Sequence, residues 1–240
     1  MKKITLVLLL TSALPALSQE TEGKNMAKVN LSAFALKGFG VQYERQIGKR
    51  ITVGLGYSMI PKATIAFKSV VENAIDDPDV NVGDFRLGTS IFTPEFRYYL
   101  GKKGAFHGFY FAPYARIGSY KIAGPVSYTS STNVKKTAVF DGKLNTFTGG
   151  LMIGSSWQLS DKFYLDWWII GASYGSATGN LIAATPLNPA EQASLKRELD
   201  EIEVVGTEIK SEVNSNGATV TTSGSIAGTR GLGINFGIRF

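Results

Sequence analysis

The chain contains no cysteine, so disulfide cross-links, thiolate metal sites and a lipid-modified cysteine are all excluded. It has a single histidine, His107, which leaves little room for the histidine-dependent chemistry of acyl transfer and hydrolysis. Charged residues supply only 18% of the sequence, and no run approaches the roughly 18 consecutive apolar residues of a membrane-spanning helix. Dense basic segments are absent too, so nucleic acid is not an expected partner. No repeat of about 20 to 50 residues is present, which argues against solenoids and propellers.

What is present begins with an address. Lys2 and Lys3 precede an apolar run from Ile4 to Leu10, and Ala16-Leu17-Ser18 forms a small-x-small cleavage pattern. Residues 1–18 therefore read as a signal peptide and 19–240 as one exported domain. Without Lys2 and Lys3 the domain keeps 23 basic against 19 acidic residues, a modest excess.

The exported part alternates with a period of two, again and again. Ile51, Val53, Leu55, Tyr57 and Met59 alternate with Thr52, Gly54, Gly56 and Ser58. Leu232, Ile234, Phe236, Ile238 and Phe240 alternate with Gly231, Gly233, Asn235, Gly237 and Arg239. Such a period places one set of side chains on each face of a strand. A soluble sandwich would carry Lys, Glu and Thr on its outer face. Here the non-greasy face is Gly, Ser, Thr and Asn with scattered charges, which suits a narrow lumen.

This pattern predicts an all-β fold: a closed, antiparallel, up-and-down transmembrane β-barrel of about eight strands. The strands fall at about 28–36, 39–46, 51–60, 87–100, 107–120, 146–159, 163–174 and 227–240. Short turns at 47–50, 101–106 and 160–162 alternate with long loops at 61–86, 121–145 and 175–226, as periplasmic turns and extracellular loops do. The first external hairpin, around Lys37-Gly38, is tight. In the last loop, Asn188, Pro189 and Glu191 give a helix start, and Leu195, Leu199 and Ile202 share a face, predicting a helix over about 189–203. Asn216-Gly217 suits a type I′ hairpin.

The segment Thr93-Pro94-Glu95-Phe96-Arg97-Tyr98-Tyr99-Leu100-Gly101, followed by Gly108-Phe109-Tyr110-Phe111-Ala112-Pro113-Tyr114-Ala115-Arg116, resembles a largely uncharacterised family of small outer-membrane β-barrels of Bacteroidota. The final segment, Leu232, Ile234, Phe236, Ile238 and Phe240, looks like the terminal-strand signal by which such barrels engage the assembly machinery. The resemblance implies a fold and the cell outer membrane as location. It carries no catalytic motif and no cofactor.

Strand parity places Glu44, Glu95, Arg97, Arg116, Asp166 and Arg239 in the lumen. Three acids and three arginines in a space that an eight-stranded barrel fills with its own side chains must pair. A packed ionic plug is favoured over an ion or proton path. Tyr43, Tyr57, Tyr98, Tyr99, Phe109, Trp157, Phe163, Trp167 and Phe240 cluster toward strand ends and are assigned to an aromatic girdle at the lipid boundary. His107 follows a short turn, away from the long loops, and is read as interfacial rather than catalytic. The acidic stretch 76–84 mimics part of a calcium loop, but Gly83 falls one place late and Gly88 stands where a bidentate Glu belongs, so no metal is assigned.

The expectation is a non-enzymatic outer-membrane barrel with a structural or interaction role. Its partners would be outer-membrane lipid and, through the 175–226 loop, another envelope protein. Transport of a small solute is the alternative. An outer-leaflet lipid-modifying enzyme is the third reading, and it lacks a histidine on the external rim.

Overall fold

The computed structural model describes residues 23–64, 82–130, 132–202 and 206–240. The signal segment and most of the acidic stretch 76–84 lie outside the described residues. Nine antiparallel strands form one sheet: β1 (Asn25–Asn30), β2 (Phe39–Gly48), β3 (Ile51–Thr64), β4 (Arg86–Tyr99), β5 (Gly108–Thr129), β6 (Lys135–Gln158), β7 (Phe163–Ala184), β8 (Thr207–Asn214) and β9 (Gly217–Arg239). Among the described residues two α-helices accompany them, α1 (Leu31–Ala35) and α2 (Pro189–Asp200). No described helix is long and apolar enough to cross a membrane.

The order is up-and-down from β1 to β7, followed by β9, and β9 returns to β1 to close a ring. Closure is explicit in the register Met26↔Arg239 through Asn30↔Asn235. Eight strands thus make the ring. The ninth, β8, pairs only with β9, from Thr207↔Gly224 to Asn214↔Gly217, on the stretch that β1 does not reach.

Both long loops at 121–145 and 175–226 prove largely regular. β5 and β6 stay paired out to Thr129↔Lys135, and β7 and β9 out to Ala184↔Gly217. Periodicity failed there because both faces of the extended hairpins carry small polar residues, so no face is distinctly greasy. The sheet therefore rises beyond the ring as a rim. Tyr128, Phe140, Leu187, Leu195, Leu199 and Val220 bury themselves there in a small core of their own. The α2 helix spans 189–200 and its Leu195 and Leu199 faces enter that core.

Two local expectations are corrected. The first strand ends at Asn30, and 31–35 is helical, although the apolar residues of this segment suit a strand. Asn30 Oδ1 accepts from the Ala33 amide at 2.8 Å, so the asparagine stops β1 and caps α1. The β8–β9 turn is Ser215-Asn216 rather than Asn216-Gly217. Neither Ser215 nor Asn216 has a positive φ, so no type I′ turn forms, and Gly217 begins β9 at φ 138°.

The side chains divide by parity. Val41, Val53, Leu55, Phe96, Phe111 and Leu151 point outward and are exposed. Lys28, Glu44, Glu95, Arg97 and Asp166 point inward and are buried. Polarity is thus inverted relative to a soluble domain, in which exposed apolar patches stay small.

Candidate functional site: a buried ion cluster and the cavity above it

The ring interior is layered. At the end carrying Gly23 and Phe240, Phe106 folds in from the turn between β4 and β5, with φ 67° and its ring fully buried. Tyr99, Tyr110, Tyr164, Met26 and Met152 pack with it. Arg239 closes this layer: its Nε donates to the Gly23 carbonyl at 2.6 Å, and its NH1 donates to Tyr164 Oη at 3.1 Å. Its guanidinium lies 5.1 Å from the Phe106 ring centre.

The ion cluster comes next. Arg97 NH1 lies 3.0 Å from Asp166 Oδ2 and 3.1 Å from Glu44 Oε2, while its Nε donates to Glu95. Arg97 NH2 donates to Gln42 Oε1 at 3.1 Å, and the guanidinium stacks 4.3 Å from the Tyr110 ring centre. Lys28 Nζ reaches Glu44 and, at 2.9 Å, Asp166. Arg230 NH1 completes the set on Glu95 Oε2 at 2.7 Å. Hydroxyls fill the remaining acceptor positions: Tyr99 and Thr52 donate to Glu44 Oε1 at 2.7 and 2.5 Å, and Tyr110 donates to Asp166 Oδ1 at 2.8 Å.

Lys28, Arg97 and Arg230 thus face Glu44, Glu95 and Asp166, and the cluster is neutral. Burial of ions is tolerated when the charges are paired and the remaining lone pairs find donors. Both conditions hold here. The six come from β1, β2, β4, β7 and β9, so the network ties the ring across its diameter as well as around it.

Two glycines make room for the inward rings. Gly154 is the register partner of Tyr110, and Gly233 that of Trp168; a Cβ on either would overlap the facing ring.

Of the six charges expected in the lumen, Glu44, Glu95, Arg97 and Asp166 meet in one cluster. Arg239 sits in the aromatic layer below, and Arg116 is half-buried in a cavity on the far side. Sequence reading missed Lys28 and Arg230. The alternation of Lys28 with Ala27 and Val29 could have revealed the first. Arg230 was hidden by an irregularity: Leu232 has φ 53°, so Arg230 and Gly233 both turn inward although parity from the terminal segment points Arg230 out.

The outward aromatics Tyr43, Tyr57, Tyr98, Phe109, Phe163, Trp157 and Phe240 are exposed, and Trp167 is half-buried beside Trp157 at 6.1 Å. Tyr99 is corrected. It shares parity with Arg97, is fully buried and belongs to the lumen, since adjacent Tyr98 and Tyr99 must face opposite sides of one strand. Leu232, Ile234, Ile238 and Phe240 of the terminal segment are exposed, and Phe236 stacks on Phe163 at 5.4 Å. Both nitrogens of His107 are engaged, Nδ1 with the Ala105 carbonyl at 2.9 Å and Nε2 with Gln158 Oε1 at 3.0 Å. Among the described residues no cluster of His, Asp or Glu is arranged to hold a metal.

Beyond the ion cluster lies a cavity of about 430 Å³, lined among others by Gln42, Ile91, Arg116, Trp168, Arg230 and Asn235. The cluster is its floor.

Residues 4–182 match the family described as a protein of unknown function (DUF3575), and the chain belongs to that family. No curated protein matches it.

Proposed function

We propose that the protein is a non-conducting outer-membrane β-barrel that stiffens the envelope and holds an ordered rim outside it for a partner. The inverted polarity of the ring carries this reading: exposed aliphatic and aromatic side chains surround a buried, neutral ion cluster. Only lipid tails make the outer face favourable, and β1 closes the ring onto β9 from Met26↔Arg239 to Asn30↔Asn235. With Gly23, Phe240 and the short turns at one end, that end would face the periplasm and the rim would face outward.

The cluster and the Phe106 layer argue against a path through the barrel. An eight-stranded ring is just wide enough for its own side chains, and here they close it with paired charges. The rim, with α2 and β8 packed on the extended hairpins, is the ordered surface that remains for interaction. Its partner would be another envelope protein. No catalytic role is proposed, because His107 is at the opposite end of the barrel from the rim.

Planar-bilayer recording tests the closed state. The purified protein is expected to give no steady conductance, and a large porin-like conductance would overturn the reading. Deleting residues 188–216 should leave an assembled barrel that no longer co-purifies with the partner from native membranes.

A further inference from the structure

The cavity above the ion cluster is lined by hydrogen-bond donors that have nothing to donate to among the described residues. Arg116 lines it and has no acidic partner among the described residues, in contrast to every cation of the cluster below. Gln42 Nε2 also lacks a partner, although the residue is only 5% exposed and its Oε1 is occupied by Arg97. Trp168 Nε1 is buried and unpartnered as well. Its ring is fixed by Arg230, whose guanidinium stacks 4.0 Å from the ring centre. The acids nearest the cavity are consumed: Glu95 is held by Arg97 and Arg230. Buried donors without acceptors are costly, and two of them around one cavity, beside the half-buried guanidinium of Arg116, call for an acceptor-rich, negatively charged guest.

The cavity wall also has an apolar side and a way out. Ile91, Ile60 and Ala33 line it, together with Leu36, Phe39 and Met59, which are exposed. It lies where the seam between β1 and β9 stops. β1 pairs with β9 only up to Asn30↔Asn235, and β8 pairs only up to Thr207↔Gly224. From Ile226 to Leu232 no described strand covers that edge of β9. The Ser32 hydroxyl of α1 bridges its lower limit, donating to the Leu232 carbonyl at 3.3 Å and accepting from the Ile234 amide at 2.9 Å.

From these observations we infer that the cavity binds a small amphiphilic oxyanion. Its carboxylate or phosphate is held by Arg116, Gln42 and Trp168, and its apolar part leaves along α1 through the gap in the seam. The site has an ionic floor, so it receives a ligand without opening a path to the other end. A cavity of this size suits a molecule of a few tens of heavy atoms at most. The site goes beyond the closed-barrel reading and does not require a conducting lumen.

The test follows the tryptophan indole resonances of the protein in lipid nanodiscs by nitrogen–proton NMR, with Trp168 assigned from Trp168→Phe. Octanoate and octyl phosphate supply the two headgroups, and octanol supplies the tail alone. The Trp168 resonance is expected to shift saturably with at least one oxyanion, and whichever anion binds more tightly identifies the headgroup. Arg116→Gln should weaken that binding at least tenfold while the Trp157 and Trp167 resonances keep their positions, showing an intact fold. The inference is overturned if neither anion moves Trp168, if octanol moves it equally, or if Arg116→Gln leaves the titration unchanged.

Discussion

Arg97 and Asp166, separated by 69 residues in the chain, meet at 3.0 Å across the interior of the ring. The contact joins β4 to β7, which are not neighbours in the sheet. Removing Arg97 leaves Glu44, Glu95 and Asp166 buried against only Lys28 and Arg230. Loss of one partner of a buried ion pair typically costs about 3–5 kcal/mol. Arg97→Met should therefore lower the urea midpoint of the folded protein by a corresponding amount. An unchanged midpoint would mean that the cluster does not form.

Gly154 faces the Tyr110 ring, and that ring in turn supports Arg97 and donates to Asp166. Overpacking of such a site typically costs about 1–3 kcal/mol. Gly154→Ala should destabilise within that range, measured by the same urea titration, whereas Gly149→Ala, where an added Cβ meets nothing, should be nearly silent.

The rim helix depends on a capping box. Glu191 N donates to Asn188 Oδ1 and Asn188 N to Glu191 Oε2, both at 3.0 Å, and Lys136 donates to Glu191 Oε1 at 2.7 Å. Asn188→Ala should cost about 0.5–2 kcal/mol of local stability, seen as faster hydrogen exchange confined to α2. The Lys136 hydrogen bond, followed by that from the Asn188 amide, holds the Glu191 carboxyl below its ordinary value of 4.5. A carboxyl whose pKa falls on folding stabilises the fold above its unfolded value and loses that contribution as pH drops through the folded one. Protection of α2 should accordingly weaken below about pH 4.5, and Glu191→Gln should remove this dependence. Strands β2 and β3 serve as the internal control.

Leu55 is half exposed on the outer face of β3. Arginine on the lipid face of a barrel costs about 2–4 kcal/mol at mid-depth and little near the boundaries. Leu55→Arg should reduce the heat-modifiable, assembled fraction on gels. Ser90→Arg, nearer the rim, should be tolerated better.

Much of the ring was legible because its two faces differ so strongly: aliphatic or aromatic residues against Gly, Thr or charge, from Ile51 to Ile60 and again at the terminal segment. Four of the six charges of the ion cluster followed from parity alone. Parity stops working where the backbone departs from the regular pleat, and the left-handed Leu232 is enough to hide Arg230. It also gives no signal where both faces are alike, so the strand extensions beyond Tyr120, Thr146 and Tyr174 look like loops. Asn30 was the cue for α1, yet five helical residues are too few to show a helical period. The α2 helix was visible because capping chemistry is local: Asn188, Pro189 and Glu191 act within one turn.

Tryptophan quenching by brominated lipid tests the inverted polarity most directly, because the three tryptophans divide between the two sides. Trp157 and Trp167 stack on the outer face, while Trp168 lies inward against Arg230. With bromine placed high on the acyl chains, the Trp168→Phe protein should be strongly quenched, and Trp157→Phe/Trp167→Phe, which keeps Trp168 alone, only weakly. Equal quenching of both, stronger quenching of Trp168, or a protein that stays in solution without detergent would contradict the inside-out barrel.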